Sequence, residues 1–158
     1  IVEKEIVSSI AYSKDEAKIT LIRVADRPGV AAAIFGPLSD ANVNVDMIVQ
    51  NVSEDGRATD LTFTVAETDY QAAMKVLEAN RDGLGYERMV GDAAVAKISV
   101  IGVGMRSHSG IAAKVFEVLA AAGVNIQMIS TSEIKISVVI GIDKAEEATR
   151  AVHDAFLG

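Results

Sequence analysis

The chain has no cysteine and no tryptophan, and only two prolines and two histidines among 158 residues. Without cysteine there can be no disulfide and no thiolate metal site, and the reducing cytoplasm is the expected location. Neither His108 nor His153 lies in an H-E-x-x-H pattern, so no metal centre is expected. Positive charge is in deficit, with 15 basic against 22 acidic residues and a net charge of −7. An acidic surface repels phosphate backbones, so nucleic acid is not expected as a partner. No apolar run reaches about 18 residues before a charge or glycine interrupts it, and no basic amphipathic helix is visible, so no membrane association is expected. Glu3, Lys4 and Glu5 break any apolar leader, and the opening on Ile1 rather than Met reads as a fragment or a processed chain.

Catalytic signatures are also missing. There is no G-x-x-x-x-G-K-[ST] phosphate loop. Gly102-Val103-Gly104 follows a strand pattern, but the third glycine of a dinucleotide fingerprint would fall on Ser107, and no acidic residue stands obviously at the required distance. Ser107, His108 and Ser109 are adjacent in sequence, which is not triad geometry; a loop or ligand-contact role suits them better. No convergent acid, base and nucleophile set emerges, so no catalytic residue is assigned and no activity is expected of this segment alone.

Half of the residues are apolar, enough for packed cores, and the most informative feature is an internal repeat. Ala17-Lys18-Ile19-Thr20-Leu21-Ile22 recurs as Ala96-Lys97-Ile98-Ser99-Val100-Ile101. Gly29-Val30-Ala31-Ala32 recurs as Gly110-Ile111-Ala112-Ala113, and Val43-Asn44-Val45-Asp46-Met47-Ile48 as Val124-Asn125-Ile126-Gln127-Met128-Ile129. Three blocks in one order, about 80 residues apart, define two copies of one unit.

Periodicity reads each copy as β-α-β-β-α-β. In the first copy the spacing predicts a strand over 18–24, a helix from Gly29 to Ala41 and a strand over 44–52. A strand through Leu61, Phe63 and Val65 follows, then a helix capped by Thr68 or Asp69 and running to about Asn80, ended by Gly83 and Gly85. Tyr86 to Val90 reads as the last strand. Pro37 and Gly36 predict a kink or break in the first helix, because proline deletes a hydrogen bond and presses on the Ala33 carbonyl. The second copy predicts strands over 96–103, 125–131 and 134–140, a helix from Gly110 to Ala122, and a helix capped by Asp143 and running to about Phe156. This is α+β: two ferredoxin-like βαββαβ units, each an antiparallel sheet with helices on one face, over 14–92 and 93–158. The second copy lacks its own fourth strand. Residues 6–12 read as a strand that either completes the second copy or forms a hairpin with 18–24.

What remains suits binding. Asp26-Arg27-Pro28-Gly29 leads directly into a helix, whose first N–H groups lack partners and favour a carboxylate. Gly29 permits close approach of backbone to ligand, and Asp26 offers an acceptor for an ammonium. Strand end and helix start is the plainer reading of the same residues. Asn44, Asp46 and Gln50, with Asn125 and Gln127, are polar positions on strands that otherwise read as core, and they belong at a sheet edge or an interface rather than buried.

Val24-Ala25-Asp26-Arg27-Pro28-Gly29-Val30 resembles the first strand-to-helix loop of ACT domains. Val45-Asp46-Met47-Ile48-Val49-Gln50-Asn51-Val52-Ser53, Val103-Gly104-Met105-Arg106-Ser107-His108-Ser109-Gly110 and Asn125-Ile126-Gln127-Met128-Ile129-Ser130-Thr131-Ser132-Glu133-Ile134 are similar to the ACT pair of monofunctional aspartate kinases. The resemblance implies an amino-acid-sensing regulatory region in which lysine and/or threonine act as feedback inhibitors. ATP and Mg would be used by a catalytic kinase domain or subunit outside this chain. It also implies a homodimer that pairs the first ACT domain of one chain with the second of another, with effectors at the seam. The effector residues so implied are Asp26, Arg27, Pro28, Gly29, Val30, Ala31, Asn44, Val45, Asp46 and Gln50 in the first copy, and Ser109, Gly110, Ile111, Asn125, Ile126 and Gln127 in the second. The second copy departs from the first in a longer loop, in Ser109 for Pro28 and in Gln127 for Asp46, so the two sites are not chemically equivalent. A free-standing tandem ACT regulator of another enzyme or of a transcription factor is the alternative.

Overall fold

The computed structural model describes residues 7–103 and 109–158. Its strands are β1 (Val7–Ala25), β2 (Val45–Val52), β3 (Ala58–Ala66), β4 (Arg88–Gly102), β5 (Ile126–Thr131) and β6 (Lys135–Gly141). The helices are α1 (Val30–Asp40), α2 (Tyr70–Ala79), α3 (Arg81–Leu84), α4 (Ser109–Ala121) and α5 (Ala145–Leu157). Short 3₁₀ turns, Glu67–Asp69 and Ile142–Lys144, precede α2 and α5. Among the described residues, no helix is long and apolar enough to cross a membrane.

The chain forms two compact units: residues 15–93, and residues 94–158 together with the N-terminal segment through Lys14. Within the first, the strand order is β2-β3-β1-β4; within the second it is β5-β6-β4-β1. Two strands that the periodicity divides are continuous. The run at 6–12, described from Val7 onward, and the run at 18–24 fall in the 19-residue β1, and the runs at 86–90 and 96–103 are replaced by the 15-residue β4, which begins only at Arg88. Local alternation breaks at Ser13–Glu16 and at Gly91–Ala94, but β1 and β4 are hydrogen-bonded neighbours, and that pairing favours an extended backbone through the breaks.

In the first unit, Ile19, Leu21 and Val24 of β1 and Leu61, Phe63 and Val65 of β3 are buried with Val30, Ile34 and Leu38 of α1 and Ala73 and Leu77 of α2. The i, i+4 spacing of the helical residues puts one stripe of each helix onto the sheet. The parity change between Leu21 and Val24 is a β-bulge: Leu21 pairs Leu61 but Val24 pairs Thr59. Arg23 takes up the extra residue at φ 57°, its N–H donating to Asp60 Oδ1 at 2.9 Å. Without that bulge, Arg23 and not Val24 would face the core.

The second unit repeats the plan. Ile98 and Val100 of β4 and Ile136, Val138 and Ile140 of β6 pack against Ile111, Val115 and Leu119 of α4 and Ala148, Val152 and Phe156 of α5. Val7 is buried in this cluster, with Ile10 and Tyr12 packed against it, and Ser8 Oγ donates to the Ile101 carbonyl at 3.2 Å. Each such fully buried aliphatic or aromatic side chain contributes about 1.5–3 kcal/mol.

Four local expectations are corrected. Pro37 does not break α1, which continues to Asp40; the helix forfeits one bond to the Ala33 carbonyl while Val30, Ile34 and Leu38 anchor it from both sides of the proline. Thr68 and Asp69 make no side-chain cap on α2, and Gly83 lies inside α3 rather than ending a helix. The residue before α5 is Lys144, with Asp143 one place earlier in the 3₁₀ turn and no side-chain cap there either.

Candidate functional site

The loop after β1 is built by backbone geometry. Asp26 N–H donates to the Arg57 carbonyl at 3.0 Å, tying the loop to the β2–β3 turn. Gly29 sits at φ 87°, a left-handed conformation that glycine adopts without a Cβ clash. Val30 N–H donates to the Arg27 carbonyl at 3.2 Å and Ala33 N–H to Gly29 at 3.0 Å. The N–H groups of Ala31 and Ala32, in the first turn, have no intrahelical acceptor to reach, and no side chain caps this end. Asp26, Arg27, Pro28, Gly29 and Ala31 are exposed, and Arg27 Nη2 reaches the Gly83 carbonyl at 3.4 Å. Val30 is buried and belongs to the core, so it can offer a ligand only its backbone.

The β2–β3 turn beside this loop is closed by Asp55, whose carboxylate accepts from Ser53 Oγ at 2.6 Å and from Arg57 N–H at 3.0 Å. These bonds, the Ser53 one first, hold the Asp55 carboxyl below the usual carboxylate range.

Asn44, Val45 and Asp46 lie elsewhere. Val45 pairs with Val65 and Val52 with Thr59, whereas Ala25 pairs with Ala58. The Asp26–Ala31 loop therefore stands at the Val52 end of β2, and Asn44–Asp46 at the other end, roughly 23 Å away at about 3.3 Å per residue. Gln50, opposite Leu61, is on the loop side of the strand. Asn44, Asp46 and Gln50 are exposed, and β2 is an edge strand that also exposes Ile48 by 53 % and Val52 by 52 %.

Register slips by one residue between Val45 and Ile48, where Met47 N–H donates to Thr64 Oγ1 at 3.0 Å. The same slip occurs in β5 between Ile126 and Met128. Both bulges fall on the candidate ligand residues, Asp46 in one copy and Gln127 in the other, and bulges at sheet edges re-aim side chains. Asn125 and Gln127 are exposed, while Ile126 packs against its own core. Gly110 is exposed at the start of α4 and Ile111 is buried. Met105, Arg106, Ser107 and His108, and the side chain of Ser109, lie outside the described residues.

The sequence reading missed the residues after β3 and β6. Asp69 Oδ2 accepts from Asn44 N–H at 3.1 Å, so its carboxylate serves the entrance of β2 instead of a helix cap. In the second copy a cleft of about 270 Å³ opens at the corresponding place, lined by Asn125, Gln127, Gly141, Asp143 and Lys144. Comparing Glu67-Thr68-Asp69 with Ile142-Asp143-Lys144 would have flagged the difference, since one ends on an acid and the other on a base.

ACT domain models match residues 18–82 and 98–156. The aspartate kinase of Pseudomonas fluorescens is 54% identical over 154 residues, which are 98% of this chain and 37% of that enzyme. The chain thus spans little more than a third of the length of the curated relatives it matches. Among solved structures, that of aspartokinase alpha and beta subunits superposes with a TM-score of 0.87 at 49% identity, covering 95% of this chain and 98% of that one. The ligand-free regulatory subunit of aspartate kinase from Thermus thermophilus gives 0.89 at 40% identity, covering 96% and 99%. The chain belongs to the aspartate kinase family, as a tandem ACT pair of its regulatory portion.

Proposed function

We propose that this chain is the effector sensor of an aspartate kinase: it binds lysine and/or threonine and thereby inhibits the phosphorylation of aspartate by a catalytic domain or subunit that holds ATP and Mg. The observation that carries the reading is the separation of the two polar groups along β2. One free amino acid cannot touch both the Asp26–Ala31 loop and Asn44–Asp46 of one chain, because the length of the strand lies between them. An antiparallel approach of a second edge strand brings the beginning of one strand to the end of the other. β2 and β5 both present exposed edges, with Ile48 and Val52 on one and Ile129 on the other. Pairing the first ACT domain of one chain with the second of its partner then encloses an effector between a helix N-terminus, which takes the carboxylate, and acceptors such as Asp26, which take the ammonium.

Lysine is the first effector to test, because aspartokinase III of E. coli, a distant fold relative, was solved in complex with lysine and aspartate. Effector binding inhibits only through its differential affinity for two states of the whole enzyme. Calorimetry of the chain with lysine and with threonine, wild type against Asp26→Ala and Gln50→Ala, tests the assignment. Each variant should weaken effector binding about ten- to hundredfold. Unchanged affinity for every effector that binds the wild type removes that residue from the site.

A further inference from the structure

We propose that the second unit carries its own amino-acid cleft, complete within one chain, in which Lys144 and the Asn125 N–H take a ligand carboxylate and Asp143 takes its ammonium. The choice of an α-amino acid rests on the regulatory reading above; the cleft itself does not.

The argument comes from the two copies. In the first, the entrance of β2 is closed internally: Asp69, the last residue of its 3₁₀ turn, gives a carboxylate oxygen to Asn44 N–H at 3.1 Å. In the second, Asn125 is the counterpart of Asn44, and the last residue of the 3₁₀ turn is Lys144. An ammonium has no lone pair to offer, so the protein supplies no carboxylate from that position. It supplies a cation on the wall of the cleft that Asn125 also lines, and a cation and an N–H in one cleft favour an incoming carboxylate. Lys144 Nζ lies 3.7 Å from Glu147 Oε2 in a half-exposed pair, an arrangement weak enough to be exchanged for a ligand.

Gly141 makes the space. It ends β6 at φ −66° and ψ 142°, where any residue is allowed, so its backbone does not require glycine. A Cβ there would come within 2.9 Å of Asp143 Oδ1 and 3.9 Å of Gln127 Nε2. The first copy has Ala66 at the end of β3, where the second has Gly141. Opposite charges at Asp143 and Lys144, a floor without a side chain and a volume of about 270 Å³ describe a site for a small zwitterion.

The test is a ¹⁵N NMR titration of the full chain with L-lysine, L-threonine and, for a carboxylate alone, acetate. At least one amino acid should shift the Asn125 and Gly141 amides, and acetate should do so more weakly. Lys144→Asp restores the acceptor found in the first copy, so the side chain itself should engage Asn125 N–H and abolish the response. Lys144→Met should weaken it about tenfold. Gly141→Ala should weaken it too, on a backbone that tolerates alanine. Asp26→Ala should leave the cleft response intact while reducing the calorimetric effector binding. No shift at Asn125 with either amino acid, or equal affinity in wild type and Lys144→Met, overturns the cleft. Loss of all binding in Asp26→Ala would also overturn the cleft but leave the inter-chain site standing. Insensitivity of binding to Asp26→Ala and Gln50→Ala, with the Asn125 shift retained, would sink the inter-chain site and leave the cleft.

Discussion

The two copies place a hydroxyl pair at the same position, buried in the second and half-buried in the first, and that offers a controlled test of what an unpaired polar group costs. Ser99 Oγ and Ser137 Oγ are 2.7 Å apart on directly paired residues of β4 and β6, with 4 % and 2 % of each residue exposed. Thr20 and Thr62 are the counterparts on β1 and β3, at 3.1 Å and only half-buried. Ser99→Ala removes one partner and leaves the Ser137 hydroxyl buried without it, which should cost about 1–3 kcal/mol. Ser137→Ala should cost the same by symmetry. The double variant removes both polar groups, and two methyl groups in their place should leave stability within about 1 kcal/mol of wild type. The cycle should therefore show a coupling of roughly 1–6 kcal/mol, the two single costs together less the small change in the double variant. Thr20→Ala should lose no more than about 1 kcal/mol, because water can reach the remaining hydroxyl. Urea unfolding followed by circular dichroism, at one protein concentration and without effector, measures all four, since self-association and ligand both shift apparent stability. If each serine variant costs no more than the double variant, the account of this buried pair is wrong.

Other outcomes follow from single observations. Sedimentation of the chain at high micromolar concentration should show a dimer; a monomer with and without lysine or threonine would count against pairing through the exposed edges of β2 and β5. Pro37→Ala should raise the unfolding midpoint, because the Ala33 carbonyl regains a helical donor; a lower midpoint would mean that the proline ring is needed where it packs. Tyr86 Oη donates to the Leu77 carbonyl at 3.1 Å, and burial raises its phenol above the usual value. A raised phenol pKa favours the folded state fully below pH 10.0, and that contribution is lost as pH climbs through the folded-state value; ultraviolet difference titration should show one tyrosine ionising late. Asp55 should titrate below 3.8 by NMR, so the Ser53–Arg57 turn keeps its carboxylate acceptor down to that pH, and Ser53→Ala should move the midpoint upward.

Much of this protein was legible in the residues alone, because the signals involved are local. Three repeated blocks disclosed two copies, and the alternation of Leu61, Phe63 and Val65 and the i, i+4 spacing of Ile111, Val115 and Leu119 disclosed which faces are buried. The polar character of Asn44, Asp46, Gln50, Asn125 and Gln127 placed them outside a core, and all five are exposed. What only the tertiary structure decided depends on partners distant in sequence. Continuity of β1 and β4 comes from neighbouring strands that supply ladder bonds where side-chain alternation lapses, which no window of a dozen residues contains. Residues 6–12 read as a strand, but the choice of sheet was made by burial of Val7 in the cluster that holds Ile98, Val100 and Phe156. The separation of the Asp26 loop from Asn44–Asp46 follows from strand direction, since a connection that crosses the sheet on a helix returns the chain to the opposite end. Asp69 looked like a helix cap because caps are read locally; the Asn44 N–H across the unit competes for the same carboxylate and wins it, and with Lys144 in that place the second copy leaves the position to whatever acid arrives.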